Sequence, residues 1–152
     1  MKKRSTLPPT SPAKWRVHFF ERHPADDPKR TVPGREFLES CPEKVRAMML
    51  AVVKAVADAP PPMFSGGGKW EAMHDEMKGF YEVRVDGPKR HHYRLFCILE
   101  QDDARLGLGG ASLVIIGGKD KPFRTVLSSR DYQEIRKLGD EYRSRNPRSV
   151  AP

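Results

Sequence analysis

The sequence of 152 residues is long enough for one domain around a single core and cramped for two. Its 28 Lys and Arg against 20 Asp and Glu give a net charge of +8, which points to an acidic partner, most commonly nucleic acid. No apolar run reaches the roughly 20 residues of a helical membrane span, the basic start MKKRSTLPPTSP lacks the apolar segment of a secretory signal, and Cys41 and Cys97 read as separate buried thiols, so a cytoplasmic protein without membrane contact is expected.

Residues 1–13 join basic side chains to prolines with little to bury, and a flexible basic tail is expected there. The folded domain is expected over 14–143, followed by a second flexible tail over 144–152. Trp15, Val17 and Phe19 alternate with Arg16 and His18, which predicts a first strand, and HPADDPKRTVPG then breaks the chain as a loop. Arg35–Ser40 predicts one short turn of helix presenting Phe37 and Leu38 inward. Pro42 suits the first position of a longer helix, capped by Ser40 or Cys41 and running to Ala59. In it Val45, Met48, Met49, Val52, Val53 and Val56 recur at three- and four-residue spacing, a core stripe meant for one face of a sheet. Pro60–Pro62 end that helix and Gly66–Gly68 loosen the next connection. Lys69–Lys78 is expected to form a helical turn or two carrying Trp70, Met73 and Met77 inward. His74, beside Asp75 and Glu76, lacks the spacing of a metal motif and reads as part of a solvated face.

The stretch GFYEVRVDGPKRHHYRLFCIL, residues 79–99, concentrates the residues most able to do chemistry. Tyr81, Val83 and Val85 alternate with Glu82, Arg84 and Asp86, Asp86-Gly87-Pro88 supplies a break, and Tyr93, Leu95, Cys97 and Leu99 alternate with His92, Arg94, Phe96 and Ile98. A hairpin with its apolar residues on one side places Arg84 and Arg94 together on the other. Two guanidinium groups there repel unless an anion lies between them, and each is a planar fork suited to phosphate. Glu100–Gly110 is a long turn, and Ala111–Gly117 reads as a fully buried strand that delivers Lys119 and Lys121 just beyond its end. Ser128 or Ser129 caps a final helix with Tyr132, Ile135, Leu138 and Tyr142 as its inward stripe. The order strand, helical region, three strands, helix predicts an α+β fold. Its antiparallel β-sheet has the N-terminal helical region packed on one face and a C-terminal helix, with the helices expected on one side.

The run Y-E-V-R-V, a basic turn, Y-R-L-F, a hydrophobic strand ending in G-K and a closing helix resembles the RelE/HigB superfamily of bacterial toxins, most closely its phage-derived HigB-type branch, over about Trp15 to Tyr142. The resemblance implies a RelE-like fold and the toxin of a type II toxin–antitoxin system. It implies a ribosome-dependent endoribonuclease that cuts mRNA and is held inactive by a cognate antitoxin, while the related ParE branch acts on DNA gyrase. It places functional roles on Arg84, on Arg94, on Lys119 or Lys121, and on Tyr132. Glu82 stands where some relatives carry a lysine that helps activate the nucleophile, a departure that leaves the general base unassigned.

Metal-independent RNA cleavage uses the substrate's own 2′-hydroxyl, so no cofactor or metal is expected. Arg84 and Arg94 are candidates for stabilising charge on phosphate. His92, on the Arg94 face by parity, is a candidate for proton transfer, and Tyr132 for stacking or proton relay. Lys89 and Arg90 in the turn, with Lys119 and Lys121, are candidate RNA-phosphate contacts. The plain structural alternatives are that Arg84 pairs with Glu82 or with a carboxylate on a neighbouring strand, and that Tyr132 is a core aromatic. Functionally, the alternatives to the nuclease are a non-enzymatic inhibitor binding gyrase and a basic nucleic-acid-binding accessory domain.

Overall fold

Period-two alternation in residues 81–99 becomes the central hairpin of the computed structural model, which describes residues 14–59 and 68–152. Strand β1 spans Arg16–Phe19, helix α1 Pro33–Ser40, helix α2 Glu43–Asp58, β2 Trp70–Ala72, β3 Tyr81–Asp86, β4 His91–Glu100, β5 Ser112–Pro122 and helix α3 Ser129–Arg143, with short 3-10 turns at Asp75–Met77, Pro88–Arg90 and Ala104–Leu106. The N-terminal tail, the triple proline and most of the triple glycine lie outside the described residues.

The five strands are ordered β1-β5-β4-β3-β2. Strands β3 to β5 pair antiparallel as expected and β2 adds antiparallel to β3, but β1 joins the edge of β5 in parallel, so the sheet is mixed. Helices α1 and α2 separate β1 from the β2–β5 meander, and β5 returns to pair with β1 in the same direction. Two apolar clusters sit on opposite sides of this sheet. One packs Leu38, Val45, Met49, Val53 and Val56 of α1 and α2 on Val83, Val85, Leu95, Cys97, Leu113 and Ile115. The other packs Ile135 and Tyr142 of α3 on Phe96, Ile98, Val114 and Ile116. The helices therefore cover both faces, because the strand residues are apolar on both sides at this end of the sheet.

Local details differ from the sequence expectation for identifiable reasons. Pro42, not Ser40 or Cys41, occupies the N-cap of α2, and among the described residues no side chain caps it. Trp70–Ala72 is a strand because pairing with β3 sets Trp70 opposite Val83 and buries its ring, stacked 5.1 Å from Tyr81, in the sheet core. Strand β5 continues through Lys119 and Lys121 to Pro122, well past Gly117. Residues 144–152, expected to be a flexible tail, pack back on the domain. The Arg148 amide donates to Leu106 O at 2.8 Å, its guanidinium Nε donates to Glu100 at 3.0 Å, and Val150 bridges to Phe20.

The β4–β5 ladder is interrupted once. Phe96 pairs with Gly117 but Cys97 pairs with Ile115, so Ile116 is an extra residue bulged out of register. A bulge reverses the facing of every residue beyond it relative to the simple alternation. Counting from Leu113 and Ile115, Lys119 and Lys121 would face α1 and α2. With the bulge they stand opposite Arg94 and His92 on the α3 side.

Helix α1 lies close on β5 because Gly34 has no side chain. A Cβ there would sit 2.5 Å from Ile115 Cγ2, a branched methyl of a fully buried residue. Helix propensity alone favours alanine over glycine by about 1 kcal/mol, whereas overpacking costs about 1–3 kcal/mol. Gly34→Ala is expected to lower the urea-unfolding free energy by about 1–2 kcal/mol; an unchanged or raised value would show that α1 lifts freely from the sheet.

Candidate active site

Across the α3 side of the sheet, β3, β4 and β5 align Arg84, Arg94 and Lys119 directly opposite one another, and the next register position aligns Asp86, His92 and Lys121. The hairpin parity that brings Arg84 beside Arg94 is the one the sequence predicts. The bulge at Ile116 then adds the two lysines.

The two guanidinium groups are balanced by separate carboxylates of the chain itself, not by one anion between them. Arg94, buried to 9% exposure, donates from Nη1 to Asp86 Oδ1 at 2.8 Å and to the Tyr93 carbonyl at 2.9 Å. The same Asp86 oxygen lies 2.8 Å from His92 Nδ1. Arg84 donates to Glu71 at 3.2 Å and lies 3.7 Å from Glu82, so both carboxylate pairings that compete with a functional role are present. Lys119 pairs with Glu134, and Lys121 Nζ is 3.3 Å from Asp131. Every cation of the row thus has a carboxylate partner.

Three carboxylates respond differently to this setting. Burial pushes the Glu82 carboxyl above its ordinary pKa, against the opposing pull of Arg84 and Arg94. Burial acts the same way on Asp86, but hydrogen bonds from Arg94 and His92 outweigh it and hold Asp86 below the usual range. Asp131 is likewise lowered, because the Ser128 backbone and hydroxyl and the Lys121 ammonium outweigh its burial. Ser128 and Asp131 form the reciprocal capping box that starts α3, with the Ser128 amide donating to Asp131 at 2.8 Å and the Asp131 amide to Ser128 Oγ at 3.2 Å. The helix cap and the lysine of the sheet therefore share one carboxylate.

Tyr132 follows in the first turn of α3, half-buried, its ring edge-on to Phe96 with centroids 6.1 Å apart. Burial raises its phenol pKa, with the Glu82 charge the next contribution. It also lines an open cavity of about 510 Å³ with Met73, His74 and Met77. Among the described residues no group of three His, Cys, Asp or Glu side chains is placed to hold a metal ion, the His74 cluster included.

The turn residues are not gathered into this row. Lys89 lines a different cavity, of about 420 Å³, with Cys41, His91, Tyr93 and Asp120 on the α1–α2 side. There His91 Nδ1 is 2.8 Å from Asp120, and burial pushes the Cys41 thiol up to about 11. Arg90 is exposed, and its carbonyl accepts from the Phe123 amide at 2.9 Å. Glu71, Asp86, Asp131, Glu134 and Phe123 also belong to the site, although the sequence expectation does not include them. Asp86 shares the parity of Arg84 and is legible by that signal, whereas the others come from elements whose placement no local pattern encodes.

Because the folded-state pKa values of Asp86 and Asp131 lie below the unfolded value of about 3.9, their stabilisation is present above that pH and is lost as pH falls through the folded values. Asp131→Ala is expected to cost about 1 kcal/mol at neutral pH through loss of the hydrogen bond from the Ser128 amide and to flatten the acid limb of a stability-versus-pH curve. Thermal melts from neutral to acid pH would check both, and an unaltered acid limb would count against the shared-carboxylate arrangement.

No protein-family model and no curated protein matches the chain. Among solved structures it is similar to the crystal structure of the toxin–antitoxin complex RelBE2 from Mycobacterium tuberculosis, at 15% identity over 72% of this chain and 93% of that one, with a TM-score of 0.43.

Proposed function

We propose that this protein is the toxin of a type II toxin–antitoxin system, of the RelE/HigB kind, and that it cleaves mRNA on the ribosome without a metal cofactor. The observation that carries the reading is the convergence on one sheet face of Arg84, Arg94, His92 and the partly buried Glu82, flanked by Tyr132. The sequence resemblance over residues 15–142 and the net charge of +8 support it independently.

In this mechanism the Glu82 carboxylate, made a stronger base by burial, takes the proton of a ribose 2′-hydroxyl. The 2′-oxygen attacks the adjacent phosphorus, and the bond from phosphorus to the 5′-oxygen breaks. The products are a 2′,3′-cyclic phosphate and a new 5′-hydroxyl, whose proton comes from His92. Arg84 and Arg94 bind the non-bridging oxygens as negative charge builds on them. Glu82 thereby takes the role left open by the missing lysine. Phosphate must compete with Asp86 for Arg94 and with Glu71 for Arg84, so binding exchanges one anion for another. A cognate antitoxin is the partner this reading implies.

That every cation in the row already has a carboxylate favours a second reading, in which the face is structural and the protein is a non-enzymatic inhibitor of gyrase or an accessory nucleic-acid-binding domain. Induction in a bacterial host with mapping of mRNA 5′ ends separates these. The nuclease reading expects new ends within translated codons, abolished by combined Arg84→Ala and Arg94→Ala. Arrested growth with intact message would support the gyrase reading, and normal growth with intact message the accessory domain.

Glu82→Gln gives a sharper test. As the general base, its loss is expected to slow cleavage by about 100-fold or more. A carboxyl whose folded pKa is raised above its unfolded value destabilises the fold at neutral pH, so the amide is expected to leave the melting temperature unchanged or higher. Retained cleavage would remove Glu82 from the mechanism.

A further inference from the structure

We propose, building on the RNA-cleaving reading above, that Phe123 is a stacking platform for a nucleobase of single-stranded RNA at the end of the cation row. Among the described residues Phe123 belongs to neither apolar cluster and is 40% exposed. Its ring contacts His92, with centroids 5.0 Å apart and planes tilted by 46°, and His92 stands opposite Lys121 and two residues from Arg94.

The backbone that carries the ring is held, and the ring itself rests against His92. The Phe123 amide donates to Arg90 O at 2.9 Å, which ties the β5–α3 loop to the β3–β4 turn. The Thr125 amide and hydroxyl each donate to Pro122 O at 2.9 Å, closing a tight turn around Phe123 and Arg124. An exposed apolar ring fixed in place binds a partner at lower entropic cost than a mobile one. Its surroundings choose the partner. Arg90, Lys121 and Arg124 are the cations nearest in the chain and the ladder, and an aromatic face beside basic side chains is the arrangement that binds unpaired bases while phosphates follow the charge. Stacking a base on Phe123 sets the adjoining phosphate toward His92 and Arg94, so the ring acts as a positioning residue for the scissile bond.

Fluorescence anisotropy of the full-length protein with short labelled oligoadenylate, oligouridylate and an abasic ribose-phosphate oligomer tests this. Phe123→Ala is expected to weaken oligoadenylate binding by about tenfold, oligouridylate less, and the abasic oligomer not at all. Phe123→Trp is expected to retain the affinity, and Phe123→Leu, equally apolar but without an aromatic face, to lose it. An equal loss on the abasic oligomer, or no loss on oligoadenylate, would overturn the platform while leaving the RNA reading intact. Failure of the wild-type protein to bind any of the probes would overturn the platform, whereas the nuclease reading stands or falls on the mapping of mRNA 5′ ends during translation.

Discussion

Three cations stand directly opposite one another on adjacent strands, Arg84 on β3, Arg94 on β4 and Lys119 on β5, and the rest of this face is arranged around the repulsion among them. Like charges directly opposite on a sheet are destabilising, and Arg94 is too buried for water to screen it well. The chain answers with carboxylates from every neighbouring element: Glu71 from β2, Glu82 and Asp86 from β3, Asp131 and Glu134 from α3. Each occupies a position that a phosphate oxygen would suit. A face built in this way has its charges balanced by the chain itself, and on the proposed reading a phosphate would displace one of these carboxylates.

The same pairings decide how helix α3 meets the sheet. Asp131 serves both the capping box and Lys121, and Glu134 reaches Lys119, so the first turn of α3 is fastened to the end of β5 that carries the lysines. Further along, Ile135 and Tyr142 enter the apolar cluster, and Gly139 lets the Phe80 ring approach where a Cβ would lie 2.4 Å from its edge. Polar contacts at the start of the helix and apolar ones behind it fix its height above the sheet. That height places Tyr132 over Phe96 and near enough to Glu82 for its phenol to feel the carboxylate's charge.

Depth and hydrogen bonding together give Glu82 and Asp86, neighbours by alternation on one strand face, opposite characters. Glu82 lies deeper, and its attraction to Arg84 and Arg94 does not offset its desolvation. Asp86 lies nearer the turn and receives hydrogen bonds from two side chains. One is disposed to gain a proton and the other to hold a cation.

Elements whose signals are local were legible in the amino-acid order. The alternation in residues 81–99 specified the hairpin and the shared face of Arg84, His92 and Arg94, the spacing in residues 45–56 specified the buried stripe of α2, and Ser128 marked the start of α3. Features that depend on which strand lies beside which came only with the packed fold. The parallel docking of β1, the conversion of residues 70–72 into an edge strand and the placing of α3 on the second face all rest on partners distant in the chain. The facing of Lys119 and Lys121 turns on one bulged residue, Ile116, which an uninterrupted run of apolar side chains conceals because both sides of β5 are buried there. A period of two records which residues alternate but not where the count skips, and only pairing with β4 reveals that step.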